Sequence, residues 1–334
     1  MTVRISRQSA STLPYLIALV VLALPIFSQA QETTTPQSRQ SENYSISVNV
    51  DMVVLHATAQ DRKGVLVSGL GKSDFQVYED GVPQQIKYFS HEDIPVTVGL
   101  VIDNSGSMSQ KRSDVIAAAM AFARSSNPQD QMFVVNFNEK VSFGLPGDTP
   151  FTDQVGELEV ALSRITANGE TALYDAVAAA LEHLKKGNRD KKVLIVISDG
   201  GDNASKNNLA QILAMVGRPD VIIYSIGIFD EQDGDSNPHV LKHLAKDTGG
   251  EAFFPASLKD LAPICERIAR DIRNQYTIAY VPSNRKRDGS YRVIQVKASA
   301  PGRGYWLVRT RTGYYAPLAL PSTAAKANDH DTHN

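Results

Sequence analysis

The sequence predicts an α/β protein: a doubly wound, mostly parallel sheet with a flanking β-sandwich-like domain. Three observations predict it. Between about Val96 and Arg273, apolar runs such as Val96–Ile102, Met132–Phe137, Lys192–Ser198 and Val221–Ile228 alternate with stretches of helical spacing. Buried strands separated by helices imply a parallel sheet covered on both faces. On either side of this region apolar and polar residues alternate, with turn signals at Asp80-Gly81 and Asp288-Gly289, which is the period of half-buried strands. Each β-rich flank is too small to bury a core by itself, so the two are expected to pair into one β domain with the α/β domain inserted.

Residues 1–30 read as a secretory signal. Arg4 and Arg7 precede an apolar run from Leu13 to Phe27, and Ser28-Gln29-Ala30 offers small residues where a signal peptidase cuts. The alternative is an uncleaved membrane anchor, but the apolar run is short for a span and polar residues follow it at once, which favours cleavage after Ala30, with no membrane span left, and export to the periplasm, cell surface or exterior. Residues 31–43, rich in Thr, Ser and Gln, read as a disordered linker. Residues 44–92 form the N-terminal part of the β domain: Ile46, Val48, Val50, Met52 and Val54 alternate, Phe75 and Val77 run into a hairpin, and Ile86, Tyr88 and Phe89 return.

Residues 93–273 form the α/β domain. Helical spacing runs over Val115–Ala123, Val155–Ile165, Leu173–Leu184, Val240–Ala245 and Leu258–Ile272. Val141–Phe143 is short enough for an edge strand, and Ala252–Phe254 is a last short one. Residues 274–316 return to alternation at Tyr276, Ile278 and Tyr280, at Tyr291, Val293 and Val296, and at Trp306 and Val308. Residues 317–334 are polar and Ala-rich, a disordered tail whose His330, Asp331 and His333 make a poor metal site on a free end.

The chain of 334 residues has a formal net charge of −2. Neither a basic excess for nucleic acid nor a polybasic run for anionic lipid is present. Cys265 is the one cysteine, so an intrachain disulfide is impossible. It falls on the apolar face of Leu258, Leu261, Ile264, Ile268 and Ile272, the place of a buried structural thiol.

The chemistry concentrates where Val96–Ile102 ends in Asp103-Asn104-Ser105-Gly106-Ser107. Open α/β sheets place ligands at the carboxyl ends of their strands. There Asp103, Ser105 and Ser107 can aim their oxygens at one spot. One carboxylate with hydroxyls suits a hard divalent cation such as Mg²⁺. Thr171, which opens another helix, and Asp199, which follows the strand Lys192–Ser198, can complete the set from two further loops. Taken alone, the serines would serve equally as helix caps.

Together, Asp-x-Ser-x-Ser, a distant Thr and a distant Asp resemble the metal-ion-dependent adhesion site of the von Willebrand factor A (VWFA) family. The stretch from about Val96 to Arg273 resembles that family, and in flavour the VWFA-related domain of acidobacterial secreted proteins. The resemblance implies a Mg²⁺ ion (or Mn²⁺ or Ca²⁺) held by Asp103, Ser105, Ser107, Thr171 and Asp199. It implies a protein or peptide partner whose carboxylate fills the ion's open position. Such a chain is a binding module and not an enzyme. One departure is Glu170, where the family more often has Gly before the Thr.

Other candidates carry less. Asp202 is read as supporting the same loop, and Asp175 as a local cap. Asp230, Asp233 and Asp235 begin like a calcium loop, but no suitably spaced Glu follows. His239 and His243 lack the Glu of a zinc protease helix. A phosphatase using Asp103 as nucleophile would want an acid where Ser105 stands, and Lys206 is a weak candidate for its lysine. A structural envelope subunit with a folding-only metal site is the other alternative.

Overall fold

The computed structural model describes residues 52–164, 166–216, 221–229, 236–302 and 304–319. The expected signal, the linker, the start of the first strand at Ile46–Val50, the acids Asp230, Asp233 and Asp235, and the tail from residue 320 lie outside the described residues.

The α/β region contains β5 (Val96–Asp103), β6 (Gln131–Phe137), β7 (Val141–Phe143), β8 (Lys191–Ser198), β9 (Val221–Gly227) and β10 (Ala252–Phe253), following four strands that belong to the β region. Its helices are α1 (Arg112–Ser125), α2 (Val155–Ser163), α3 (Leu173–Leu184), α4 (Leu209–Val216), α5 (Pro238–Thr248) and α6 (Leu261–Arg273). The sheet order is β10-β9-β8-β5-β6-β7. Its pairs are parallel except the edge strand β7, which returns antiparallel to β6.

Strand β5 is central, and all eight of its residues are buried, so the sheet is covered on both faces. Helix α1 packs against α6 and α2, while α3 packs against α4 and α4 against α5. Gly99 makes this packing possible: a Cβ there would lie 2.5 Å from the Phe133 ring and 2.6 Å from the Leu194 methyl. Cys265 is buried in α6, and desolvation pushes its thiol pKa up to about 12, which keeps it inert.

Sequence periodicity does not give α4. Its eight residues are almost uniformly apolar, and only Ile212 and Val216 are buried, one turn apart. Its start is nevertheless marked. Asn208 Oδ1 accepts the Gln211 N–H at 3.0 Å, and Gln211 Oε1 accepts the Asn208 N–H at 2.8 Å, a reciprocal capping box.

The β region comprises β1 (Val53–Gln60), β2 (Phe75–Glu79), β3 (Val82–Gln84) and β4 (Ile86–Ser90) before the α/β region, and β11 (Tyr276–Tyr280), β12 (Tyr291–Ala300), β13 (Gly304–Arg309) and β14 (Gly313–Tyr315) after it. These strands form one eight-stranded sheet, β3-β2-β12-β13-β1-β11-β4, with β14 also on β12. Strand pairing runs along one path with β14 branching from β12, and the pairing by itself does not establish the sandwich-like arrangement expected from the sequence. The reason is that long strands change partner along their length. β1 pairs with β11 over Val53–Ala57 and with β13 over Thr58–Gln60. β12 pairs in turn with β14, β2 and β13. The sheet thereby curls until Phe75 on β2 meets Tyr276 on β11, ring centroids 4.9 Å apart. Leu55, Val77, Ile278 and Val296 fill the inside of the curl.

A buried carboxylate joins the two regions. Asp271 on α6, 2% exposed, accepts the Thr58 hydroxyl from β1 at 2.7 Å and the Tyr224 hydroxyl from β9 at 2.8 Å. It also pairs with Arg309 of β13, which reaches Glu251 at 2.6 Å. Beside this seam His56 is buried on β1. Desolvation, then the positive charges of Lys191 and Arg311, depress its pKa from 6.5 to about 3. Lys191, itself buried, donates to the Ile272 carbonyl at the end of α6.

Two outcomes follow. Asp271→Ala leaves Arg309 and two hydroxyls facing a desolvated gap, and urea unfolding should show a loss of about 3–5 kcal/mol. His56 is neutral in the fold but takes a proton in the unfolded chain below pH 6.5. Its contribution is therefore intact above that pH and lost as pH falls toward 3. The stability difference between wild type and His56→Gln should shrink by about 1.4 kcal/mol per pH unit between pH 6 and 4, and a difference that stays flat across that window would refute the assignment.

Candidate metal centre

The site is built where β5 and β8 end side by side. Asp103 is the last residue of β5, and its carboxylate is 2% exposed. One oxygen accepts the Ser105 N–H at 2.8 Å, and the other accepts the Ser198 hydroxyl at 2.6 Å. The chain then makes a single 3₁₀ turn, Gly106–Met108. This turn brings the Ser105 and Ser107 hydroxyls to 3.1 Å from each other. Ser107 donates to Asp199 at 2.6 Å. Its hydroxyl is thus aimed at the β8 loop and not used as a helix cap. The residue before α1, Lys111, makes no side-chain cap either.

Asp199 follows β8 and is 3% exposed; its other oxygen accepts the Gly201 N–H at 3.0 Å. Gly200 has φ +80, and a Cβ there would lie 2.4 Å from the Asn237 carbonyl. Only glycine fits that turn. The Gly200 N–H donates back to the Ser198 hydroxyl at 3.0 Å, so Ser198 both feeds Asp103 and fixes the Asp199 loop.

Thr171 lies on the loop before α3 and is 7% exposed. Backbone bonds hold this loop against the first: Gly106 N–H to the Gly169 carbonyl at 3.0 Å, and Asn168 N–H to the Asn104 carbonyl at 2.9 Å. The third loop clasps Thr171 itself. Asn203 Oδ1 accepts the Thr171 N–H at 2.8 Å, and the Asn203 and Ala204 N–H groups donate to the Thr171 carbonyl. The structure thus links Asp103, Ser105, Ser107 and Asp199 through short polar contacts and anchors Thr171 on the adjoining loop.

The remaining acids do other work. Asp202 accepts the Tyr174 N–H at 2.9 Å and the Ser205 hydroxyl at 2.6 Å, capping the start of α3. Asp175 accepts the backbone N–H groups of Lys206 and Asn207. Glu170 is exposed, as are His239 and His243. Ser198 and Asn203, which hold Asp103 and the Thr171 loop, are residues that motif reading passes over. The only signal for them in the sequence is a hydroxyl at a strand end just before an acid, and an amide in the turn after it.

Two acids dominate the electrostatics of the cluster. Burial first, and then the neighbouring Asp199 carboxylate, push the Asp103 pKa up to about 6, against hydrogen bonds from Ser198 and Ser105 that pull it down. Two close, desolvated carboxylates repel each other, and a bound divalent ion would relieve that repulsion. Among the described residues no three His, Cys, Asp or Glu side chains group to hold a metal. The donor set here is two carboxylates with hydroxyls, which suits Mg²⁺ or a similar hard ion that keeps several waters. Gly106 and Ser107 are exposed while Asp103 and Ser105 are buried, so the cluster opens to solvent on one side.

Comparison with known proteins gives the same family. Residues 98–201 match the von Willebrand factor type A domain. Inter-alpha-trypsin inhibitor heavy chain H4 of Bos taurus is 27% identical over 135 residues, 37% of this chain and 15% of that protein. The chain therefore spans a small part of that relative's length. Among solved structures, a von Willebrand factor type A protein from Catenulispora acidiphila has a TM-score of 0.48 at 14% identity, covering 82% of this chain and 75% of that one. Proximal thread matrix protein 1 from the mussel byssus, with a zinc occupied MIDAS motif, has a TM-score of 0.44 at 16% identity, covering 55% of this chain and 49% of that one. Residues 98–201 of this chain belong to the von Willebrand factor type A domain family.

Proposed function

We propose that this chain is an exported, non-enzymatic binding module that grips a protein partner through a divalent cation. The observation that carries the reading is the short-contact cluster of Asp103, Ser105, Ser107 and Asp199 at the solvent-facing end of β5 and β8. Asp103, Ser105, Ser107, Thr171 and Asp199 would hold the ion, Mg²⁺ in the first instance. Three of these five donors are neutral hydroxyls. An ion held by few anions stays electron-poor, and a partner carboxylate can replace one of its waters. The ion supplies the attraction, and the chain supplies a rigid, partly desolvated seat for it.

Domains of this family commonly mediate metal-dependent protein interactions, which supports the reading. Support for export comes from the basic, apolar and small-residue order of residues 1–30. No helix among the described residues is long and apolar enough to cross a membrane.

Calorimetry on the purified protein should find one Mg²⁺ or Mn²⁺ bound by the wild type and none by Asp103→Ala. Ser198→Ala, which loosens the carboxylate without removing a donor, should lower metal affinity by about tenfold or more. Undiminished binding by Asp103→Ala would remove the assignment.

Partner capture from native envelope extract should require Mg²⁺ and fail in EDTA. Thr171→Ala should weaken capture more than it lowers the thermal midpoint, because one neutral hydroxyl is lost while the apolar sheet stays whole. A partner held equally well in EDTA would mean that the ion serves folding alone, as in a structural envelope subunit.

A further inference from the structure

The turn that carries Ser105 and Ser107 is held from a second side, by a strand that contributes none of the five proposed donors. β6 lies beside β5, with Asn136 opposite Ile102 and Phe137 opposite Asp103. The end of β6 reaches both loops of the cluster. The Phe137 carbonyl accepts the Asn104 N–H at 2.6 Å. The next carbonyl, of Asn138, accepts at 2.8 Å the N–H of Ala172, the neighbour of Thr171.

Asn104 is the centre of this arrangement. It stands between Asp103 and Ser105 in the chain and is 1% exposed. Its carbonyl accepts the Asn168 N–H at 2.9 Å, which ties in the Thr171 loop. Both ends of its side-chain amide are engaged. Nδ2 donates to the Ile102 carbonyl and to Asn136 Oδ1, each at 3.1 Å, and Oδ1 accepts from Arg112 Nε at 3.3 Å.

Asn136 and Arg112 carry the restraint outward. Asn136 is fully buried, and its Nδ2 donates to the Ala161 carbonyl at 2.9 Å. Arg112 Nη2 donates to the Leu162 carbonyl at 3.3 Å. Ala161 and Leu162 lie in the last turn of α2, where carbonyls have no partner within the helix. Each side chain thus holds Asn104 with one atom and the end of α2 with another. The residue types are demanding. An asparagine accepts and donates at once, and a guanidinium donates from spaced nitrogens in a fixed plane. Leucine at 136 can do neither, and lysine at 112 keeps the charge but not the fork.

We infer that Asn136 and Arg112 are positioning residues of the cation site. Acting through Asn104, they hold the Ser105–Ser107 turn against the end of α2, and the role rests on the cluster being a cation site.

The test separates placement of the turn from stability of the helix. Arg112→Lys and Asn136→Leu are the variants. Thr152→Val is the control: it removes a hydroxyl that donates to Glu157 at 2.5 Å and accepts the Gln154 N–H at 3.0 Å at the start of α2, away from Asn104. In the metal-free full chain, amide exchange at Gly106 and Asn168 should be about tenfold faster in both variants than in the wild type, and unchanged in Thr152→Val. Mn²⁺ titrated by calorimetry should bind both variants about tenfold more weakly, with a broadened electron paramagnetic resonance spectrum of the bound ion. Thr152→Val should bind Mn²⁺ as the wild type does, at a lower thermal midpoint. If Asn136→Leu does not fold, Arg112→Lys decides. Wild-type affinity and exchange in Arg112→Lys would overturn the positioning role and leave the cation site standing. An equal loss of affinity in Thr152→Val would also overturn it, as an effect of helix stability alone. No Mn²⁺ binding by the wild type would overturn the cation site and the role together.

Discussion

The burial of one carboxylate, Asp103, at the end of a fully buried strand organises the loops at that end of the sheet. A charge taken out of water must be met by donors or by another charge. β5 has no polar residue of its own to offer except at its ends, since Val98 to Ile102 are packed on both faces of the sheet. The donors therefore come from the loops: the Ser105 N–H from the turn that follows, and the Ser198 hydroxyl from the neighbouring strand. Ser198 in turn takes the Gly200 N–H, and the left-handed turn at Gly200 delivers Asp199 to the Ser107 hydroxyl. Each contact presupposes the previous one. The loop geometry is the consequence of satisfying a single buried acid.

A similar logic binds the two regions. Asp271 is as deeply buried as Asp103, but it is matched within the chain, by Arg309 and by the hydroxyls of Thr58 and Tyr224. Those partners come from β13, β1 and β9, so neutralising this one carboxylate requires the β region to dock on the α/β region. The contrast between the acids is informative. Asp271 has a cation within the protein, whereas Asp103 has hydroxyls, backbone and a second carboxylate. One is a closed structural joint. The other faces a second carboxylate beside an opening, and that difference supports the cation proposed for it.

What was legible in the sequence follows from how local each cause is. The parallel sheet could be read because a strand buried on both faces is a continuous apolar run, as in Val96–Ile102 and Lys192–Ser198. Asp103, Ser105 and Ser107 could be singled out because they share one turn. Ser198 and Asn203 could not, because their role depends on which strand lies beside β5 and which loop folds over Thr171, and these are matters of topology. Helix α4 escaped because an eight-residue, nearly all-apolar segment has no face to show, although its Asn208–Gln211 capping pair was in plain view. The curl of the β region was hidden for a different reason. Alternation predicts strands, but not that β1 and β12 divide their lengths among several partners.

Glu139 and Glu170 bear on how selective the proposed metal bridge would be. Glu139, in the turn between β6 and β7, lies so close against Gly169 that a Cβ there would be 1.9 Å from its carboxylate. Gly169 is the residue whose carbonyl holds Gly106 between the two site serines. Glu170 is exposed next to Thr171. These two acids stand on the loops that meet the Thr171 segment, while Arg112, whose Nε donates to Asn104 Oδ1 at 3.3 Å, brings a positive charge to the loop that follows Asp103. Charges of both signs thus lie near the cluster, and at physiological ionic strength exposed charges are screened beyond about 8 Å. Selectivity of the proposed bridge would then rest on contacts made at short range, beside the ion itself, and not on a long-range field.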